Sequence, residues 1–141
     1  MKRKIKSTSE GAAKLSLVQP TKQVLEEEEH PLFSFRYLSM DVSIKKCDNK
    51  VFRKFTSRLK ALSELTWKQI NSSGRHEYGW ELIDNNSLKP KKSIPLSFSD
   101  VDKFHVFRYD SDNHAFVGVV RGIAIYTLFI EASYGDVYNH D

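Results

Sequence analysis

The chain has 141 residues, 40% of them hydrophobic and 12% aromatic, which is enough apolar surface for one domain with a core and argues against a wholly disordered chain. Its longest apolar run, residues 123–130, is about eight residues, whereas a membrane span needs ~20, so no membrane span is predicted. The one cysteine, Cys47, excludes an intramolecular disulfide and a four-cysteine zinc site, and it favours a reducing compartment, the cytoplasm.

Positive charge is concentrated in the middle of the chain. Residues 36–92 hold 13 Lys or Arg against 6 Asp or Glu, whereas residues 93–141 hold 3 against 7. A basic segment of this kind suits a phosphate backbone or an acidic protein partner. The plainer alternative is a solvated helix face.

Residues 1–31 are predicted to form an N-terminal arm, either flexible or loosely docked. A basic start leads into Ser/Thr-rich sequence, then Pro20 and four consecutive Glu at 26–29, without a sustained hydrophobic period. Residues 32–141 are expected to form a single α+β domain.

The first elements of that domain are predicted to be a strand and an amphipathic helix. Aromatic residues alternate with other types over 33–37, which indicates a strand. Asp48 or Asn49 can cap the helix that follows, because apolar residues recur at helical spacing over 51–62. The other side of this helix is cationic, and its predicted RNA-binding residues are Lys50, Arg53, Lys54, Arg58 and Lys60.

A short second helix and a β-rich final third are predicted next. Thr66 and Gln69 fit a capping box, and the short helix should end near Gly74. After an alternating strand at 78–82 and a long connection, the apolar run at 123–130 is expected to be a strand covered on both faces. The simplest arrangement is a two-layer α+β domain with an antiparallel sheet of four to five strands.

Several stretches of this sequence have the pattern of strand ends and turns of a known superfamily; they are residues 75–81, 104–109, 116–121, 126–130 and 137–140. Together with the order strand, helix, short helix and meander, residues 32–141 resemble the RelE/ParE-like toxins. The resemblance implies a RelE-like fold and a toxin neutralised by an antitoxin protein. It also implies an endoribonuclease that cleaves mRNA at the ribosome, although some members inhibit DNA gyrase instead.

Metal-free RNA cleavage needs a group that accepts the 2′-hydroxyl proton, a cation beside the phosphate and a group that protonates the 5′-oxygen. Histidine suits both proton transfers, and the guanidinium of arginine matches phosphate oxygens. On the model of RelE-like toxins, His140 or His76 acts as acid or base, Arg108 and Arg121 contact phosphate, and Tyr138 stacks on a base or relays a proton. The predicted catalytic residues are therefore His76, Arg108, Arg121, Tyr138 and His140.

Each assignment has a plainer alternative. Arg108 can be a cross-strand partner of an acid, Arg121 an exposed turn residue, His76 a loop histidine and His140 a frayed penultimate residue. The sequence contains no GxGxxG, no GxxxxGK[ST] and no HxxxH, so no metal or organic cofactor is predicted. The alternative function is a non-catalytic binding module, phage-encoded or regulatory, that docks on nucleic acid or a host protein through the basic helix face.

Overall fold

Five strands and two helices organise the part of the chain that the structure, a computed structural model, describes: residues 27–90 and 93–140. The elements are β1 (Leu32–Ser34), α1 (Asn49–Ser63), α2 (Trp67–Asn71), β2 (Trp80–Asp84), β3 (Lys103–Arg108), β4 (Ala115–Arg121) and β5 (Ala124–Ile130). A π-helical turn at Met40–Ile44 and 3₁₀ turns at Asn85–Ser87 and Leu96–Phe98 interrupt the connections. None of the described helices has the length and apolar character that crossing a membrane requires.

The strands form one sheet in the order β1-β5-β4-β3-β2. Strands β2 to β5 form the antiparallel meander that the sequence predicts, with β5 between β4 and β1. Strand β1 runs parallel to β5, with Leu32 opposite Ala124. The sheet is therefore mixed, and the prediction of an antiparallel sheet is corrected at this edge. Both helices lie in the connection from β1 to β2, which carries the chain from one edge of the sheet to the other and leaves β1 to pair with the last strand.

The two helices begin where their caps predict. Asp48 accepts a hydrogen bond from Val51 N at 2.9 Å and starts α1. Thr66 and Gln69 form the reciprocal capping box of α2. Because Phe55 and Leu62 of α1 are buried, the apolar stripe of the helix faces the sheet and its cations face outward.

The two faces of the sheet are covered by different kinds of structure. One face packs on α1 and α2 through a cluster that includes Phe55, Trp67 and Phe116. The other face carries a second cluster, closed by Leu88, Phe98, Val137 and Tyr138 from irregular chain. The C-terminal segment at 134–140 is therefore partly core, because a sheet that is apolar on both faces must be covered on both.

Residues 27–31 of the predicted arm contact the domain, and residues 1–26 lie outside the described residues. Trp67 N donates to Glu29 O at 2.9 Å, and His30 Nδ1 donates to Leu65 O at 2.9 Å. Pro31 is buried. The last residues before β1 thus lie against the start of α2.

Gly118 lies at a register shift in the β4–β5 pairing. An added Cβ would overlap the carbonyl oxygen of Tyr126 on the neighbouring strand. We expect Gly118→Ala to lower the free energy of unfolding by about 2–3 kcal/mol, because backbone must move to relieve the overlap. Urea unfolding followed by circular dichroism measures this. Gly74→Ala is the matched control, since a Cβ there meets nothing within 4 Å; equal midpoints for the two variants would contradict the prediction.

Candidate functional site

Four of the five predicted catalytic residues meet at one end of the sheet, where β3 ends, β2 begins and the C-terminal segment returns. A small cleft opens there, which we call the His140 cleft. Its lining residues are Arg75, His76, Glu81, Arg108, Tyr134 and His140.

His140 is held in place by a buried carboxylate. Its Nε2 lies 2.7 Å from Oε2 of Glu131, and the two side chains are 4% and 0% exposed. Glu131 is anchored in turn, because its carboxylate accepts hydrogen bonds from Ala115 N at 3.0 Å and Gly135 N at 3.1 Å. His140, the penultimate residue of the sequence, is therefore held by packing, and the alternative of a frayed histidine does not hold.

Two tyrosines enclose the imidazole of His140. The ring centroid of Tyr134 lies 3.9 Å from that of His140, and the centroid of Tyr138 lies 4.0 Å away. Nδ1 of His140 is buried and has no hydrogen-bond partner among the described residues. Since Glu131 occupies the other nitrogen, Nδ1 is the ring nitrogen without a hydrogen-bond partner.

Burial shifts the pKa values of Glu131 and His140 in opposite directions. It raises the pKa of Glu131 to about 7, against the opposing effect of the two backbone hydrogen bonds. It lowers the pKa of His140 to about 4, and the positive charge of Arg108 adds to that effect. Near neutrality His140 is thus uncharged. When Glu131 is ionised, Nε2 carries the proton and donates to it, and Nδ1 becomes a proton acceptor.

Arg108 lies beside this pair and is almost fully buried, with 5% of its side chain exposed. Its Nη1 donates to the hydroxyl of Tyr138 at 2.7 Å, and its Nη2 donates to Oε2 of Glu81 at 3.1 Å. Glu81 also pairs with Arg75 at 2.8 Å, so one carboxylate serves two guanidinium groups. Burial raises the pKa of Tyr138 further above its ordinary value, so its hydroxyl stays protonated.

His76 also lines the cleft and is exposed. Its Nδ1 lies 3.1 Å from the side-chain oxygen of Asn113, and Arg75 Nε donates to its Nε2 at 3.3 Å. Contacts from the β3–β4 turn and from its own neighbour therefore orient the ring. A second histidine thus lines the cleft.

Arg121 is not part of this cleft, which corrects its predicted grouping with Arg108. It ends β4, whereas Arg108 pairs with Ala115 at the beginning of that strand. The Arg121 guanidinium lies 4.9 Å from the ring centroid of Phe98, in a separate depression. Each arginine ends its own strand, but β3 and β4 are antiparallel, so the two arginines lie at opposite ends of the sheet.

The basic face of α1 borders the His140 cleft. Arg58 Nη1 donates to Arg108 O at 3.0 Å and to Glu77 O at 2.6 Å, so it ties the helix to the end of β3 and to the loop before β2. Lys54 lies 3.8 Å from Asp110 in the same region. Lys60 pairs with Glu64 at 2.5 Å farther along the helix. Lys50 and Arg53 are exposed and have no acidic partner within the described ranges.

No family model, curated protein or solved structure matches this chain. The site therefore has to be interpreted from its own geometry.

Sequence reasoning missed Glu131 and Tyr134 as parts of the site. The signal for Glu131 was its position directly after the apolar strand β5, where an acid enters the protein interior and needs partners. Its pairing with a residue nine positions later could not be inferred, because the intervening loop has no regular period.

One group of described residues has the spacing of metal ligands: Asp110, Asp112 and His114 offer atoms within 4.8 Å of one another. Asp110 already closes the β3–β4 turn, since its Oδ1 accepts from the backbone N–H of Asp112 and of His114, each at 3.0 Å. Its Oδ2 lies 2.8 Å from the His114 ring. These hydrogen bonds, which stabilise the β3–β4 turn, explain why the three side chains lie close together.

Proposed function

We propose that this chain is a metal-free endoribonuclease, a RelE-like toxin that cleaves mRNA on the ribosome and is neutralised by an antitoxin protein. The observation that carries the proposal is the state of His140: Glu131 binds one ring nitrogen, two tyrosines clamp the ring, and Arg108 lies alongside. A buried neutral imidazole with one unoccupied nitrogen beside a guanidinium has the chemistry of a general base next to a phosphate site.

In the proposed reaction the 2′-oxygen attacks the neighbouring phosphorus and forms a new P–O bond, while its proton passes to Nδ1 of His140. The bond from phosphorus to the 5′-oxygen breaks, and His76 donates its Nδ1 proton, which faces Asn113 Oδ1 in the free protein, to that leaving oxygen. The products are a 2′,3′-cyclic phosphate and a 5′-hydroxyl. Arg75 and Arg108 stabilise the charge on the phosphorane, since Glu81 offsets only one of their two positive charges.

The surroundings of the cleft suit a single RNA strand. Tyr134 is 56% exposed and can stack on an unpaired base. Its ring also lies against the ring of His140. The cationic face of α1 continues from the cleft through Arg58 and would hold the phosphate backbone on either side of the cut. An acidic antitoxin segment that covered this face would block the same path.

The test is expression of the chain alone, with growth and mRNA 5′-ends followed together. We expect growth arrest and new 5′-ends from the wild type and neither from Arg108→Ala/His140→Ala. The matched control is Arg36→Ala/His30→Ala, which removes one exposed arginine and one exposed histidine away from the cleft. If mRNA stayed intact while the wild type arrested growth, the proposal would be wrong.

A second candidate is a non-catalytic binding module that uses the basic helix face. The specific observation in its favour is that Arg108 is buried and its guanidinium already contacts Tyr138 and Glu81, an arrangement that also locks the C-terminal segment in place. For a binding module, Lys50→Glu/Arg53→Glu abolishes the effect on growth, and His140→Gln leaves it unchanged. For the ribonuclease, His140→Gln abolishes it as well.

A further inference from the structure

A second cleft lies on the helix-covered face of the sheet, between α2 and strands β2 and β3. It encloses about 210 Å³ and has aromatic walls. We call it the tryptophan cleft, because both tryptophans of the chain line it. Its lining residues are Glu27, Trp67, Asn71, Trp80, His105, Val120 and Gly122.

The walls of this cleft are held rigidly. Trp80 Nε1 donates to Oδ1 of Asn71 at 2.9 Å, and Trp67 Nε1 donates to Ile123 O at 3.1 Å. The ring centroids of Trp80 and His105 are 4.8 Å apart. Because both indole N–H groups are satisfied within the protein, the rings keep fixed orientations and offer their apolar surfaces to the cleft.

Three polar side chains stand among these rings. Nδ1 of His105 is buried and has no hydrogen-bond partner among the described residues, which is uncommon for a buried nitrogen. Burial lowers the pKa of His105, so its ring is neutral near pH 7 and offers one donor and one acceptor. Asn71 uses its oxygen for Trp80 and keeps its amide N–H groups, while Glu27 adds a carboxylate acceptor.

We propose that the tryptophan cleft binds a nucleobase, so that the chain has a nucleotide-binding site besides the His140 cleft. A nucleobase is flat and stacks on aromatic rings, and its edge carries both donors and acceptors. The imidazole, the amide and the carboxylate match such an edge, whereas a purely apolar ligand would leave them without partners. Walls of two indole rings with a few converging polar groups are typical of small-ligand sites.

This site is distinct from the proposed cleavage site. Trp80 and Glu81 are successive residues of β2, so their side chains point to opposite faces of the sheet, one to each cleft. Nucleobase binding therefore does not depend on RNA cleavage. The base can belong to a free nucleotide or to an RNA strand, and the two sources share the same ring and edge.

The test uses the intrinsic fluorescence of the full chain, because every tryptophan in it lines the cleft. Adenosine and guanosine monophosphates are expected to quench this fluorescence with saturation, whereas ribose 5-phosphate, which lacks the base, does not. Trp80→Leu is expected to weaken binding roughly tenfold or more by loss of stacking. Asn71→Ala, at an exposed position, is expected to weaken it several-fold. Trp67 still reports binding in Trp80→Leu, and both tryptophans report it in Asn71→Ala.

Thermal unfolding of each variant establishes that it is folded before titration. His140→Gln should bind the monophosphates as the wild type does, which separates this inference from the proposed cleavage. A short 2′-O-methyl oligonucleotide that binds more tightly than the monophosphates would identify RNA as the source of the base; the reverse order would identify a free nucleotide. Absence of saturable quenching, equal quenching by ribose 5-phosphate, or unchanged affinity in both cleft variants would overturn the proposal.

Discussion

His140→Gln is expected to reduce the rate of RNA cleavage by about 100- to 10,000-fold, the usual contribution of a general base. Glutamine retains a polar side chain but cannot accept a proton at neutral pH. The measurement is single-turnover cleavage of mRNA on purified ribosomes. His30→Gln is the matched control, because His30 is an exposed histidine whose ring contacts only Leu65 O among its described hydrogen-bond partners. A loss of less than tenfold for His140→Gln would contradict a role for this residue as the base.

The same reaction should respond to pH through Glu131. Below its pKa of about 7 the Glu131 carboxyl is protonated and donates to Nε2, so Nδ1 of His140 carries the ring proton and cannot act as a base. Above that pH the carboxylate accepts from Nε2, and Nδ1 becomes an acceptor. Cleavage is therefore expected to rise as the pH increases through about 7. In Glu131→Gln the side-chain amide donates to Nε2 at every pH, and this rise should be absent.

Glu131→Ala is expected to lower the free energy of unfolding by about 3–5 kcal/mol. The substitution leaves the backbone N–H groups of Ala115 and Gly135 without acceptors and removes the partner of His140. It also opens a cavity, because Glu131 is fully buried. Glu131→Gln conserves the volume but turns an NH₂ group toward one of those N–H donors, so a cost of about 1–3 kcal/mol is expected. Urea unfolding at a pH below 7 compares the two with the wild type.

The pH dependence of stability provides an independent check on the pair. The raised pKa of Glu131 gives stability that is complete below about 4.5 and is lost as the pH rises through about 7. The lowered pKa of His140 gives stability that is present above about 6.5 and is lost as the pH falls through about 4. These slopes oppose each other in the wild type. Glu131→Gln removes the contribution of Glu131, so the free energy of unfolding of this variant should rise with pH between about 4 and 6.5. If the free energy of unfolding of Glu131→Gln depended on pH as little as that of the wild type, the opposing pKa shifts of Glu131 and His140 would be refuted.

Much of the local structure follows from short-range signals in the sequence. The start of α1 at Asp48 and the capping box at Thr66 depend on contacts between residues three positions apart. The strands at 103–108, 115–121 and 124–130 follow from alternation and from a β-branched apolar run. The geometry of the π-helical turn at Met40–Ile44 depends instead on packing against β5, where Ile130 N donates a hydrogen bond to Ser43 Oγ at 3.0 Å.

The sequence by itself determined the chemical types available for a site, the order of the elements and the cationic face of α1. Only the tertiary structure decided which residues meet. It brings His76, Arg108, Tyr138 and His140 to one end of the sheet and leaves Arg121 at the other end of β4. It also pairs β1 with β5 and buries Glu131 under the C-terminal segment. The physical reason is the sequence separation of the interacting residues. Helix caps and hydrophobic periodicity involve residues a few positions apart, whereas these contacts depend on how distant parts of the chain cover the two apolar faces of the sheet.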